Sequence, residues 1–114
     1  MEIKTADYHI SYDIGTTTIN CKGKLRLTGM DEYAPIVQLF NQVVEQEPSL
    51  ITFNLQQLQL LNSSGINILS KLIIKVRQKK NIKIVIQGSK KIPWQGKSLK
   101  NLQRLMPTLQ LQLE

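Results

Sequence analysis

Three places in this chain carry residue types able to do chemistry. "NSSG", residues 62–65, sets two hydroxyls and a glycine between an apolar run and a helical pattern. "GSKKIPWQGKS", residues 88–98, is a basic loop bounded by glycines and ending Gly-Lys-Ser. Cys21 and His9 are the third, one thiol and one imidazole in 114 residues. A single cysteine excludes an intrachain disulfide and any cysteine-based metal cluster. Without a second thiol or imidazole, zinc sites, Cys/His dyads and Ser/His/Asp triads lack parts, so no metal or cofactor is expected and most familiar catalytic machinery is unavailable.

The loop resembles a phosphate-binding glycine loop only at its end. Such a loop needs four residues between its glycines, so that successive backbone N–H groups curl round the phosphates. Gly88 and Gly96 enclose seven, among them Pro93, which has no N–H, and the bulky Trp94. Nucleotide hydrolysis is therefore not expected, and Lys97-Ser98 reads as the start of a helix. Trp94, the only tryptophan, lies among Lys90, Lys91, Lys97 and Lys100. It fits either a stacking residue for a nucleic-acid base or a lid on one end of the core. Nucleic-acid binding needs more aromatics than this, since Phe40 and Phe53 both sit on core patterns.

Around these places the chain alternates strands and helices. In "YHISYDI" (8–14), Tyr8, Ile10, Tyr12 and Ile14 share one face of a strand, which puts His9 on the solvated face. In "TTINCKGKLRL" (17–27), Ile19, Cys21, Gly23, Leu25 and Leu27 share a face, with Cys21 in the core and Gly23 at a bulge. "MDEYAPIVQLFNQVVEQEP" (30–48) changes period: Ile36, Leu39, Phe40, Val43 and Val44 form a helical stripe, with Pro35 in the first turn and Pro48 ending it. "LITFNL" (50–55) is a short strand, followed by a helix from Ser63. "IKIVIQG" (82–88) is a strand, "SLKNLQRLMP" (98–107) a helix stopped by Pro107, and "LQLQLE" (109–114) a last strand.

Helices linking successive strands imply right-handed crossovers. The expectation is one α/β domain over 1–114: a mixed, mostly parallel sheet of about five strands with three or four helices. That length supports one compact core, and no apolar run reaches membrane-spanning length. The start "MEIKTADYHI" has no basic segment leading into an apolar one, which predicts a cytoplasmic protein that does not engage membrane. Charge is uneven, with residues 1–62 at net −3 and residues 63–114 at +10. Such a split fits an acidic partner, a nucleic acid, or solubility alone.

At 100° per residue from Ser63, the positions Gly65, Ile66, Ile68, Leu69, Leu72, Ile73 and Val76 form the core stripe. Ser63, Asn67, Ser70, Lys71, Ile74 and Gln78 fall on the outer side, where Ile74 is an apolar residue suited to a small protein-binding surface. Asn62 or Ser63 is a good N-cap, and Gly65 permits close backbone approach. The serines thus read as cap, as modification site, or as both.

The stretch "ITFNLQQLQLLNSSGINIL" (51–69) resembles STAS domains, the family of bacterial anti-sigma-factor antagonists and sulfate-transporter tails. There a strand leads through spaced leucines to an Asp-Ser-Ser-Gly motif opening a helix; here Asn62 replaces the acid. "LRLTGMDEYAPIVQLFNQVV" (25–44) resembles the family's strand, Gly-x-Leu-Asp turn and first helix, shortened at Met30-Asp31. The tail "IPWQGKSLKNLQRLMPTLQLQLE" (92–114) resembles that of short standalone cyanobacterial members. The resemblance implies a non-enzymatic, cytoplasmic signalling regulator that binds a serine kinase/anti-sigma factor and is reset by a PP2C-type phosphatase. Carried over by position, Ser63 is the phosphoacceptor and Ser64 its capping neighbour, with Asn62 and Gly65 completing the motif. Partner binding falls to Asn67, Ser70, Lys71, Ile74 and Gln78. Two alternatives stay open: a constitutive docking scaffold, and a basic nucleic-acid or anion binder. The oligomeric state is left undetermined.

Overall fold

The computed structural model describes all 114 residues. Six strands form one sheet: β1 (Glu2–Lys4), β2 (Tyr8–Asp13), β3 (Thr18–Leu25), β4 (Leu50–Leu61), β5 (Lys83–Gly88) and β6 (Gln110–Leu113). They lie in chain order. The first three pair antiparallel, and β3 through β6 pair parallel. Three helices supply the crossovers: α1 (Gly29–Glu45), α2 (Ser63–Lys79) and α3 (Gln95–Gln103). Every crossover steps one strand in the same direction. With a fixed right hand, all three helices then fall on one face, leaving the other face open.

The burial pattern agrees with that layering. Ile10, Ile19, Cys21, Ile51, Phe53, Ile84 and Ile86 are buried against the helices, in one core with Ile36, Phe40, Leu69, Leu72 and Leu99. Phe40 and Phe53 meet edge to face across the helix–sheet boundary, their centroids 5.6 Å apart. The opposite strand faces carry Ser11, Asn20, Asn54 and Gln87, aligned by register into one polar row.

Several expectations need correction. The sheet has six strands rather than about five, because the short β1, with a single inward apolar residue, Ile3, gives almost no alternation to read. Ile14 does not join the face of β2: it is 73% exposed. Asp13 Oδ1 accepts from Gly15 N–H at 2.9 Å, closing a turn that takes Ile14 out of the ladder. Pro35 lies in the second turn of α1, since the helix begins at Gly29. The carbonyl it leaves without a helical donor belongs to Asp31, an exposed residue that water can satisfy. β4 runs through Leu61, twice the length of "LITFNL". α3 starts at Gln95, so Lys97-Ser98 lies within it, and it stops at Gln103.

Gly23 does mark irregular pairing. Its φ of +93° suits glycine, and a Cβ there would meet the Asp7 carbonyl oxygen at 2.3 Å. The β3–β4 register slips on both sides of Gly23, each time with extra residues in β4. Meanwhile β4 loses β5 as a neighbour after Asn54, which pairs with Gln87. The second half of β4 therefore needs other partners for its carbonyls, and α3 supplies them. Gln95, fully buried, donates from Nε2 to Leu55 O (2.6 Å) and Leu58 O (3.0 Å) and accepts from Ser89 N–H at 2.7 Å. Trp94 Nε1 also donates to Leu58 O, at 3.0 Å.

Candidate functional site

The parallel strands place the starts of α1 and α2 side by side at one end of the sheet, where a cluster of short-range bonds fixes them together. Asn62 is the N-cap of α2, its Oδ1 accepting from Gly65 N–H at 3.0 Å. The same Oδ1 accepts from the Tyr33 hydroxyl of α1 at 2.7 Å. Asn62 Nδ2 donates to the carbonyl of Leu27, just before α1, at 2.8 Å. One amide thus joins the β3–α1 turn, the first turns of α1 and the start of α2. An ionised carboxylate would not serve, because the arrangement uses a donor and an acceptor at once. Burial pushes the Tyr33 phenol above its ordinary pKa, which keeps it protonated and donating.

Gly65 is fixed by the same packing. A Cβ on it would meet Leu61 Cδ1 at 2.3 Å and the Tyr33 hydroxyl at 2.8 Å. Ser64, expected as a capping neighbour, is not the cap; it follows Ser63 in the first turn, and Asn62 holds the cap alone. Ser63 is exposed at the first helical position, with its hydroxyl outside the cap. Beyond it the outer stripe is mixed. Asn67, Lys71 and Gln78 are exposed, whereas Ser70 and Ile74 are half-buried. Ser70 Oγ donates back to Ile66 O at 2.9 Å, so its hydroxyl can offer a partner only its lone pairs.

Other expected residues lie elsewhere. Cys21 is buried, and desolvation pushes its thiol pKa up to about 12, which makes it inert. His9 is on the open face of the sheet, its Nε2 2.6 Å from Glu2 Oε2. That contact lowers the Glu2 pKa, first through the hydrogen bond and then through charge. Trp94 is half-buried against the core with its indole N–H committed to Leu58 O. No group of three or more His, Cys, Asp or Glu side chains is placed to hold a metal ion. No helix is long and apolar enough to cross a membrane. Sequence reasoning missed Tyr33 and Gln95. Tyr33 falls three residues before Ile36 on the α1 stripe, a signal that was present; nothing local marks Gln95 as buried.

No family model matches this chain, and no curated protein matches it in sequence. Solved structures do. A chain in the crystal structure of the diguanylate cyclase SiaD in complex with its activator SiaC, from Pseudomonas aeruginosa, superposes with a TM-score of 0.74 at 11% identity. The match covers 100% of this chain and 99% of that one. SiaC of Pseudomonas aeruginosa gives 0.73 at 10% identity, over 100% and 98% of the two chains. An anti-sigma factor antagonist from Mycobacterium paratuberculosis gives 0.65 at 17% identity, over 95% and 90%. From end to end, this chain carries the STAS-like fold of the anti-sigma factor antagonist and SiaC.

Proposed function

We propose that the chain is a non-enzymatic docking regulator of the anti-sigma-factor-antagonist type, which binds a protein partner through the outer side of α2 and is switched by a phosphate on Ser63. One observation carries this reading: Ser63 is exposed at the head of α2 while Asn62 alone holds the cap. A phosphate on the Ser63 hydroxyl would leave every cap bond in place. It would add about −1.5 to −2 charges at the positive end of the helix dipole, which favours it electrostatically. The same charge, presented on the docking stripe, would oppose an acidic or apolar partner surface by repulsion and desolvation. The likeness to an anti-sigma factor antagonist and to the activator SiaC supports a regulatory role with a protein partner; on this proposal the partner is a kinase/anti-sigma factor, and a PP2C-type phosphatase restores the unmodified form.

The test is intact-mass and phosphosite analysis of the protein from its own cells, with and without phosphatase treatment. A removable phosphate on Ser63 supports the switch. Absence of phosphate under several growth conditions, with partner capture unaffected by Ser63→Asp, would sink it. A constitutive scaffold is favoured by one feature, the neutral Asn62 where the motif has an acid. On that reading Ile74→Asp abolishes complex formation and Ser63→Asp does not.

A further inference from the structure

Between α1 and α2 the helical layer is open. A groove of about 220 Å³ runs there, with Phe40 and Leu72 at its base, Met30 and Val37 on the α1 side and Ile68 and Lys71 on the α2 side. It continues into a depression along α1 that shares Met30, Val37 and Asn41 and reaches Glu45. Met30 to Glu45 spans about 22 Å of helix axis, or four turns. The base is apolar, and Met30, at its mouth, is 52% exposed.

The α2 wall is basic and uncompensated. Lys71 and Lys75 are i, i+4 neighbours, about 6 Å apart on one side of the helix. Neither has a carboxylate within 4.0 Å, the two ion pairs of the chain being His9–Glu2 and Lys79–Glu47. Lys75 donates to Asn41 Oδ1 at 3.1 Å, which positions its ammonium over the groove without neutralising it. Residues 63–113 contain no Asp or Glu.

Resting on the docking reading above, we infer that this groove receives an amphipathic helix of the partner, with an apolar stripe for the base and carboxylates at i, i+4 for Lys71 and Lys75. A groove with an apolar base between Met30 and Phe40 and one cationic wall is the complement of such a helix. A second copy of this chain fits less well. Its one acidic helix, α1, carries Asp31, Glu32 and Glu45, none of them i, i+4 to another, and its apolar stripe is already in the core.

Two synthetic four-turn peptides with the same leucine stripe, one flanked by glutamates and one by lysines, test this by NMR titration of the full chain. The glutamate peptide is expected to bind about tenfold tighter at about 50 mM salt, with the gap closing at about 500 mM, and to shift amides of Met30–Glu45 and Ile68–Lys75. Lys71→Glu with Lys75→Glu should reverse the preference. At about 150 mM salt Ser63, eight residues and about 12 Å along the axis from Lys71, lies beyond the Debye length of about 8 Å, so Ser63→Asp should change peptide affinity there by less than about twofold. Failure of the phosphate switch and failure of the groove are thereby separate results. The inference is overturned by equal affinities, by shifts on the open sheet face, by no binding at about 1 mM, or by a dimer of the free chain that Met30→Asp dissociates.

Discussion

Asn62→Asp restores the acid of the Asp-Ser-Ser-Gly motif, and by helix-capping rules alone it is neutral or better. Asp and Asn cap about equally, and a carboxylate at a helix N-terminus gains about 0.3–1 kcal/mol. The tertiary contacts predict the reverse. Nδ2 of Asn62 donates to Leu27 O at 2.8 Å, and an ionised Asp would set an oxygen against that carbonyl. Losing the bond and leaving the carbonyl without its donor costs about 1–3 kcal/mol. The net is a destabilisation of about 1–2 kcal/mol, which for a domain of this size lowers Tm by about 4–8 °C. Thermal and urea unfolding at neutral pH measure it directly. A variant as stable as the parent, or more so, would refute the claim that an ionised carboxylate does not serve at this position. Asn62→Ala, which also removes the acceptor for Gly65 N–H and Tyr33, should rank below both.

Other expected outcomes follow from the same contacts. Gly65→Ala, favoured by helix propensity by about 1 kcal/mol, should nonetheless destabilise by about 1–3 kcal/mol in chemical denaturation, because its Cβ meets Leu61 and the Tyr33 hydroxyl. Gln95→Leu should cost about 2–4 kcal/mol by leaving the buried Leu55 O and the half-buried Ser89 N–H without this partner, read as a fall in Tm. Cys21 should resist an aromatic disulfide reagent in the native protein and react on unfolding. Because its folded pKa is raised to about 12, the unfolded thiol loses its proton first; the Cys21 contribution to stability is intact below about pH 9 and is lost as pH rises toward 12. Unfolding of the parent and of Cys21→Ser across that range should show a steeper slope in the parent, the part common to both coming from Tyr33, whose folded pKa is also raised.

The sequence by itself determined the alternation of strands and helices from Tyr8 onward, the inward faces of β2 and β3, and the stripes of α1 and α2. Those features are local: a period of 2 or 3.6 states which side is buried whatever lies opposite. It also carried the bulge at Gly23, because a glycine breaking an alternating run needs no distant partner to be noticed. Tertiary structure decided what depends on pairing between distant segments. The length of β4 could not be read past Leu55, because its second half departs from strict pairing and is held by Gln95 and Trp94, some forty residues on. Between Asn62 and Ser63 the capping role fell to Asn62, whose amide also meets a carbonyl at Leu27 and a hydroxyl at Tyr33, both supplied by another helix and its turn. The groove beside Lys71 belongs to two helices at once, and no single period in the chain describes the space between them.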